Sequence, residues 1–314
     1  MKTLLPKALR KGDTIGLISP SSACAHPEKI EQAVSYFEKH GYRVKPSLNL
    51  NRAEHDPAHT DQYKIHDIHQ MFGDRQVNAV FCLRGGAGAT RLLDRIDYEL
   101  IASNPKILVG YSDITALSLA VYARTGLINF SGPMVATELF APSSYTEEHF
   151  WGMLTSPSFS RSLDNFTGHT VVCLKPGTAS GRMIGGNLSV LSSMIGTPYL
   201  PAFRNSLLFV EDINEPAYRI DRMLSHLFNA GLIQQCRGIM FGQFCKNPSD
   251  ENREYRFDKM FAYYAARMPA ETPVMTGLSY GHIQDLMTIP VGARCRIELA
   301  GDSFSFGTTS AVVD

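Results

Sequence analysis

Four times before Ala120 a short apolar run gives way to a stretch with helical periodicity, and this alternation restricts the fold more than any other feature. Thr14-Ile-Gly-Leu-Ile-Ser19 reads as a strand, followed by a helix from Pro27 to His40 with Ile30, Ala33, Val34 and Phe37 on one face and Gly41 closing it. A strand opening at Tyr42-Arg-Val-Lys-Pro46 leads to a second amphipathic helix, Tyr63 to Gly73. Ala79-Val-Phe-Cys-Leu83 precedes a helix near Ala89 to Leu93, and Ile107-Leu-Val109 runs into a helix beyond Ser112. Repeated β-α units with short connections predict an α/β fold, a parallel sheet with helices on both faces and ligands beyond the carboxyl ends of its strands. Three loops would gather there: Ser19 to Ser22, Arg84 to Gly88 and Gly110 to Asp113.

The rhythm is lost between Thr146 and Lys175, where Ser156-Pro-Ser-Phe-Ser160 and Asn165-Phe-Thr-Gly168 read as surface turns. The chain is therefore divided into residues 1–166 and 167–314. The second part is expected to hold strands near Val171 to Leu174, Ser206 to Val210, Gly238 to Gln243 and Arg294 to Leu299. Its helix spans Ala217 to Asn229. With 44% hydrophobic and 19% charged residues, the 314-residue chain has the material for a sizeable core. Lys and Arg (30) balance Asp and Glu (30), so no basic field is present for nucleic acid. No apolar run has the length of a membrane span, and the start, Met1-Lys-Thr-Leu-Leu-Pro-Lys7, lacks the apolar core of a signal peptide. The expectation is a cytoplasmic protein with no membrane partner. Six scattered cysteines without a C-x-x-C pair read as reduced thiols, not as a zinc site.

The chemistry centres on Ser112. Gly110 permits a tight turn at the end of a strand, and helical residues follow Asp113, so the hydroxyl stands beside the free N–H groups of a helix start. Ile114 occupies the place of the second glycine in G-x-S-x-G, and a serine at a helix start serves equally as a cap. Glu211 ends the apolar run Leu207-Leu-Phe-Val210, where α/β sites place functional groups and where ordinary strand-end acids also stand. Asp212, Glu215, Arg219 and Asp221 are read as capping and bracing the helix that follows. His282 follows Gly281 in a turn just past the strand Pro273-Val-Met275; a base reaching into a cleft and a histidine satisfied by the turn backbone are both compatible with that setting. His66 and His69 share a helix face without a third metal ligand, so no metal is assigned to them. His26, His40, His55, His59, His149 and His169 sit in polar or loop-like stretches, and His226 is accounted for by helix packing. Arg84-Gly-Gly-Ala-Gly-Ala-Thr-Arg91 lacks the third glycine of a dinucleotide loop and the acidic residue beyond it, so no cofactor is assigned.

Taken in order, Gly12-Asp-Thr-Ile-Gly-Leu-Ile-Ser-Pro-Ser21, Arg84-Gly-Gly-Ala-Gly88, Gly110-Tyr-Ser-Asp-Ile-Thr115, Ser131-Gly-Pro-Met134, Gly185-Gly-Asn-Leu188, Ile195-Gly-Thr-Pro198, Glu211-Asp-Ile-Asn-Glu215 and Gly281-His282 resemble the LD-carboxypeptidase family of serine peptidases. That family includes murein tetrapeptide carboxypeptidases and the microcin C self-immunity protein. The resemblance implies a flavodoxin-like N-terminal domain carrying the nucleophile Ser112, and a smaller, β-rich C-terminal domain carrying the acid Glu211 and the base His282. It implies oxyanion donors at the backbone N–H groups of Gly86 and Asp113, and a homodimer. The implied reaction is release of the C-terminal D-alanine from cytosolic murein tetrapeptides through an acyl-serine, with no cofactor. Hydrolysis of a microcin-like aminoacyl-adenylate or acyl-amino-acid conjugate is the alternative. A non-catalytic nucleotide-binding protein using Arg84 to Gly88 stands third. The family loop usually reads Arg-Gly-Gly-Tyr-Gly; Ala87 replaces the tyrosine here, which implies a more open substrate pocket.

Overall fold

A computed structural model describes residues 2–52, 56–245, 256–301 and 303–314; His55 therefore lies outside the described residues. The first strands are β1 (Thr14–Ile18), β2 (Arg43–Pro46), β3 (Ala79–Cys82), β4 (Ile107–Val109) and β5 (Asn129–Ser131). They alternate with α1 (Pro27–Lys39), α2 (Pro57–Gly73), α3 (Tyr98–Ser103) and α4 (Thr115–Thr125). Their spatial order, β2-β1-β3-β4-β5 with every neighbour parallel, is the flavodoxin-like order of an open α/β sheet. β1, β3, β4 and β5 are buried throughout, as expected where helices cover both faces.

After α5 (Ser144–Thr155) come β6 (Val172–Lys175), β7 (Gly177–Asn187), α6 (Leu188–Ser193), β8 (Ser206–Ile213), α7 (Ala217–Asn229) and β9 (Gly238–Cys245). The chain ends with α8 (Phe257–Ala266), β10 (Val274–Thr276), β11 (Ile289–Val291), β12 (Arg294–Ala300) and β13 (Ser303–Thr308). Seven strands form a mixed sheet in the order β13-β12-β7-β8-β9-β10-β6, with β7 to β10 parallel. β11 does not join them. It crosses back to pair antiparallel with β5, completing the first sheet, and Asp314 exchanges backbone bonds with Pro6 and Ala8. The two sheets are thus tied by a strand from the C-terminal half. Tyr280, on the connection between β10 and β11, adds a hydroxyl bond of 2.5 Å to Ser131.

Several sequence expectations are revised. The second helix starts at Pro57, six residues before Tyr63, because Asp56 accepts the Ala58 N–H and proline occupies the first turn; the polar first turns carry no apolar period to reveal it. Ala89–Arg95 is a 3₁₀ segment rather than an α-helix. The stretch from Thr146 is not wholly irregular, since Ser143 caps α5 there through the Thr146 N–H. β7 was not anticipated because its glycines lower strand propensity. In place, they are what lets β8 approach: a Cβ on Gly185 would fall on the Phe209 carbonyl, and one on Gly181 would sit 2.7 Å from the Asn205 carbonyl. His149 is buried in α5 instead of lying in a polar stretch, whereas His226 is exposed and no packing accounts for it.

Candidate active site

β4 delivers Ser112 at φ +61°, one of four described non-glycine residues with positive φ. This is a left-handed conformation that costs on the order of 1–3 kcal/mol and persists only where the surroundings hold it. The surroundings do. Gly110 leaves no room for a side chain, its Cβ position lying 2.8 Å from Ile114. The buried Asp113 carboxylate accepts the Ser21 hydroxyl at 2.5 Å and the Ala89 N–H at 2.9 Å, fastening the turn to the loops after β1 and β3. Gly85 packs on the serine itself, with a Cβ position 2.8 Å from Oγ and 3.4 Å from the Asp113 nitrogen. Gly86, at φ +122°, lies against Ser22. Asp113 thus follows Ser112 directly, and Gly86 follows the glycine that packs on it.

The partners of Ser112 arrive from the second sheet. Glu211, fully buried on β8, accepts a 2.8 Å hydrogen bond from Nδ1–H of His282 and a 3.1 Å bond from Asn187 Nδ2. Because an ionised carboxylate only accepts, His282 must carry its proton on Nδ1, leaving Nε2 to accept the Ser112 hydroxyl at 3.0 Å. Glycines make this approach possible. A Cβ on Gly281 (φ +138°) would lie 3.3 Å from Glu211 Oε2, and one on Gly242 would strike the Tyr280 carbonyl. Asn187 ties the halves together, its N–H donating to Thr115 Oγ1 at the start of α4 while its side chain donates to both Glu211 and Asp212.

Charge around the imidazole is asymmetric. Burial alone would depress the His282 pKa, but the Glu211 hydrogen bond and the charges of Glu211, Glu138 and Asp212 outweigh it and hold the pKa above the ordinary histidine value. Glu138, not singled out by sequence, accepts the Tyr111 hydroxyl at 2.7 Å and the Met134 N–H at 2.9 Å, and the Tyr111 ring lies 4.9 Å from the His282 ring. Burial pushes the Glu138 carboxyl up to about 7. Its signal in the sequence was faint, an acid four residues past Ser131-Gly-Pro-Met134 with no periodicity around it. Asp212, raised to about 6 by burial and by Glu211, accepts the Ser189 N–H at the start of α6 and so braces that helix, not α7. His66 and His69 stand apart from the site: His69 accepts the Asp97 N–H at 2.9 Å, and His66 is exposed beside the buried Asp67.

The hydrogen-bond chain Ser112–His282–Glu211 can take a proton from a hydroxyl and return it to a departing group, which is the work of acyl transfer. Comparisons with known proteins agree with hydrolysis. Family models of the LD-carboxypeptidase N-terminal and C-terminal domains match residues 15–132 and 180–297. A probable murein peptide carboxypeptidase of Bacillus subtilis (strain 168) is 36% identical over 94% of this chain and 92% of its own length. The murein tetrapeptide carboxypeptidase of Pseudomonas aeruginosa PAO1 is 32% identical over 90% of this chain and 92% of its own. Among solved structures, an MccF-like protein from Bacillus anthracis str. Ames superposes with a TM-score of 0.85 at 28% identity, covering 98% of this chain and all of that one. With both halves matched and relatives similar along nearly their whole length, the chain belongs to the LD-carboxypeptidase family of peptidases.

Proposed function

We propose that this protein is a serine carboxypeptidase that hydrolyses the L,D peptide bond before the C-terminal D-alanine of murein tetrapeptides. The observation that carries the reading is the left-handed Ser112, whose Oγ lies 3.0 Å from a histidine fixed in the right tautomer by a fully buried glutamate. His282 Nε2 takes the hydroxyl proton as Oγ attacks the carbonyl, and Glu211 stabilises the imidazolium. The oxyanion rests on the N–H groups of Gly86 and Asp113, each such donor contributing about 3 kcal/mol in other hydrolases. The C–N bond breaks as His282 returns its proton to the leaving amine of D-alanine. Water, deprotonated by the same imidazole, then attacks the acyl-serine, releasing the tripeptide acid and restoring the Ser112 hydroxyl.

In this reading residues 1–166 supply the nucleophile and oxyanion donors, residues 167–314 the acid and base, and β11 clamps the two. A cytosolic homodimer acting on recycled wall peptides is carried over from the family resemblance. Assay of the purified protein against murein tri-, tetra- and pentapeptides tests it: D-alanine should leave the tetrapeptide alone, and inertness toward all three would sink the assignment. The likeness to an MccF-like structure favours a second reading, hydrolysis of an aminoacyl-adenylate-like conjugate by the same three residues. Faster turnover of such a conjugate than of the tetrapeptide would select it.

A further inference from the structure

Beyond the hydrogen bonds of its ring, His282 depends on where the connection between β10 and β11 holds its backbone. Up to the histidine, the second sheet fixes that connection. The Gln243 N–H of β9 donates to the Tyr280 carbonyl at 2.8 Å, and the Cys245 thiol donates to the carbonyl of His282 itself at 3.3 Å. Farther on, the Met287 N–H donates to the Ser279 carbonyl at 2.7 Å and closes the turn. Between these ties the support comes from the first half of the chain. Thr146, fully buried in the first turn of α5, donates its hydroxyl to the Gln284 carbonyl at 2.7 Å and accepts the Leu286 N–H at 2.8 Å.

The residue type matters here. A helical threonine ordinarily returns its hydroxyl to a carbonyl of its own helix. Thr146 gives its one proton to Gln284 and a lone pair to Leu286, so the group has a single orientation and the turn a single height over α5. Ser143, with Oγ 3.4 Å from the Gln284 carbonyl, is the weaker contact. Leu286 is fully buried, so its N–H has no solvent to turn to once the threonine oxygen is removed. α5 is in turn fixed to α1, where the Tyr36 hydroxyl donates to Glu147 at 2.7 Å and accepts the Trp151 indole N–H at 2.7 Å. Thr146 therefore links the layers that deliver Ser112 to the turn that delivers its base.

The tolerance at the histidine is narrow. Its ring is bonded on both sides, 2.8 Å to Glu211 and 3.0 Å to Ser112. A backbone shift of about 1 Å would open one of these bonds, and a misplacement of that size costs on the order of 10²-fold in rate. We propose that Thr146 is a positioning residue for the base, holding the turn after His282 so that Nε2 meets Ser112 while Nδ1 stays on Glu211. The inference rests on His282 as general base.

The test measures kcat and KM for D-alanine release, and the rate of fluorophosphonate labelling, in three variants of Thr146 beside Tyr36→Phe and His282→Ala. Thr146→Val and Thr146→Ala remove both hydrogen bonds. Each should lower kcat and the labelling rate about 10²-fold with KM within about threefold of wild type, and whichever of the two is folded carries the test. Thr146→Ser keeps the oxygen and should restore both rates to within a few-fold of wild type. Tyr36→Phe loosens the same helix without touching the turn, so it should lower the melting temperature and leave kcat unchanged. Wild-type rates in a folded Thr146→Val or Thr146→Ala, a Thr146→Ser as slow as they are, or an equal loss in Tyr36→Phe would each overturn the positioning role. His282→Ala reports on the base itself. Activity retained there removes the proposed mechanism, whereas activity lost there and retained in Thr146→Val removes only the role of Thr146.

Discussion

Replacing Glu211 by glutamine exchanges one oxygen for an NH₂ group in a side chain with no solvent exposure, so its orientation is dictated by neighbours. Asn187 Nδ2 donates to Glu211 Oε1 and to Asp212 Oδ1, while Asn187 Oδ1 accepts from the Val190 N–H and the Ser189 hydroxyl. With both ends engaged, Asn187 cannot rotate to become an acceptor toward position 211. The glutamine must therefore present its carbonyl to Asn187 and its NH₂ to His282. Nδ1 becomes an acceptor, the ring proton moves to Nε2, and nothing remains to take the proton of Ser112. The analogous change in other serine hydrolases lowers kcat about 10⁴-fold, or about 5.5 kcal/mol at 1.36 kcal/mol per decade. Glu211→Gln should show this loss in D-alanine release and a parallel loss in labelling by a fluorophosphonate. The melting temperature should hold within a few degrees, since size and packing are unchanged. A kcat within about tenfold of wild type in the folded variant would refute the tautomer argument.

Three further outcomes are expected. Since negative charge from Glu138 helps hold the His282 pKa above 6.5, Glu138→Gln should lower that pKa and move the acid limb of kcat/KM to lower pH; a limb that stays or rises would remove Glu138 from the electrostatics. Gly86→Ala would place a methyl on the Ser22 side chain at φ +122°, displacing a proposed oxyanion donor, so kcat should fall about 10²–10³-fold with KM little affected. Comparable losses in both parameters would instead mark a general distortion of the loop. His149 is only 5% exposed and has no partner for Nδ1 among the described residues, and burial draws its pKa down to about 4. A histidine with a depressed folded pKa contributes stability above 6.5 that is lost as pH falls toward 4, here at most about 3 kcal/mol. Thermal denaturation of His149→Leu should accordingly fall less between pH 7 and pH 4.5 than that of the wild type, and parallel curves would show that another group drives acid sensitivity.

The first sheet was legible because β1, β3 and β4 are continuous apolar runs bounded by turn residues, and because β-α repetition leaves few topologies. The second sheet was harder to read. Its strand β7 is built largely from small residues whose value lies in what they let approach; in the first sheet, β5 and β11 escaped because they are only three residues long. In the site, Ser112 was visible from its strand–turn–helix setting, whereas Glu211 and His282 became candidates of consequence only beside the other family segments. Nothing local to Gly281-His282 reveals that the connection it occupies runs from the second sheet to the first, which is what sets the imidazole against Ser112. Glu138 escaped notice, and Asn187 was read only as part of Gly185-Gly-Asn-Leu188 with no role, because their importance depends on contacts with residues more than twenty positions away.

The most direct test is to mix enzyme with murein tetrapeptide, quench in acid within the first turnover, and map covalent mass by peptide analysis while D-alanine is measured in parallel. The expected result is a tripeptide acyl group on Ser112 that forms and decays at rates consistent with turnover, together with loss of both adduct and D-alanine release in a folded Ser112→Ala variant. Sustained D-alanine release by that variant would contradict the assignment of Ser112 as nucleophile.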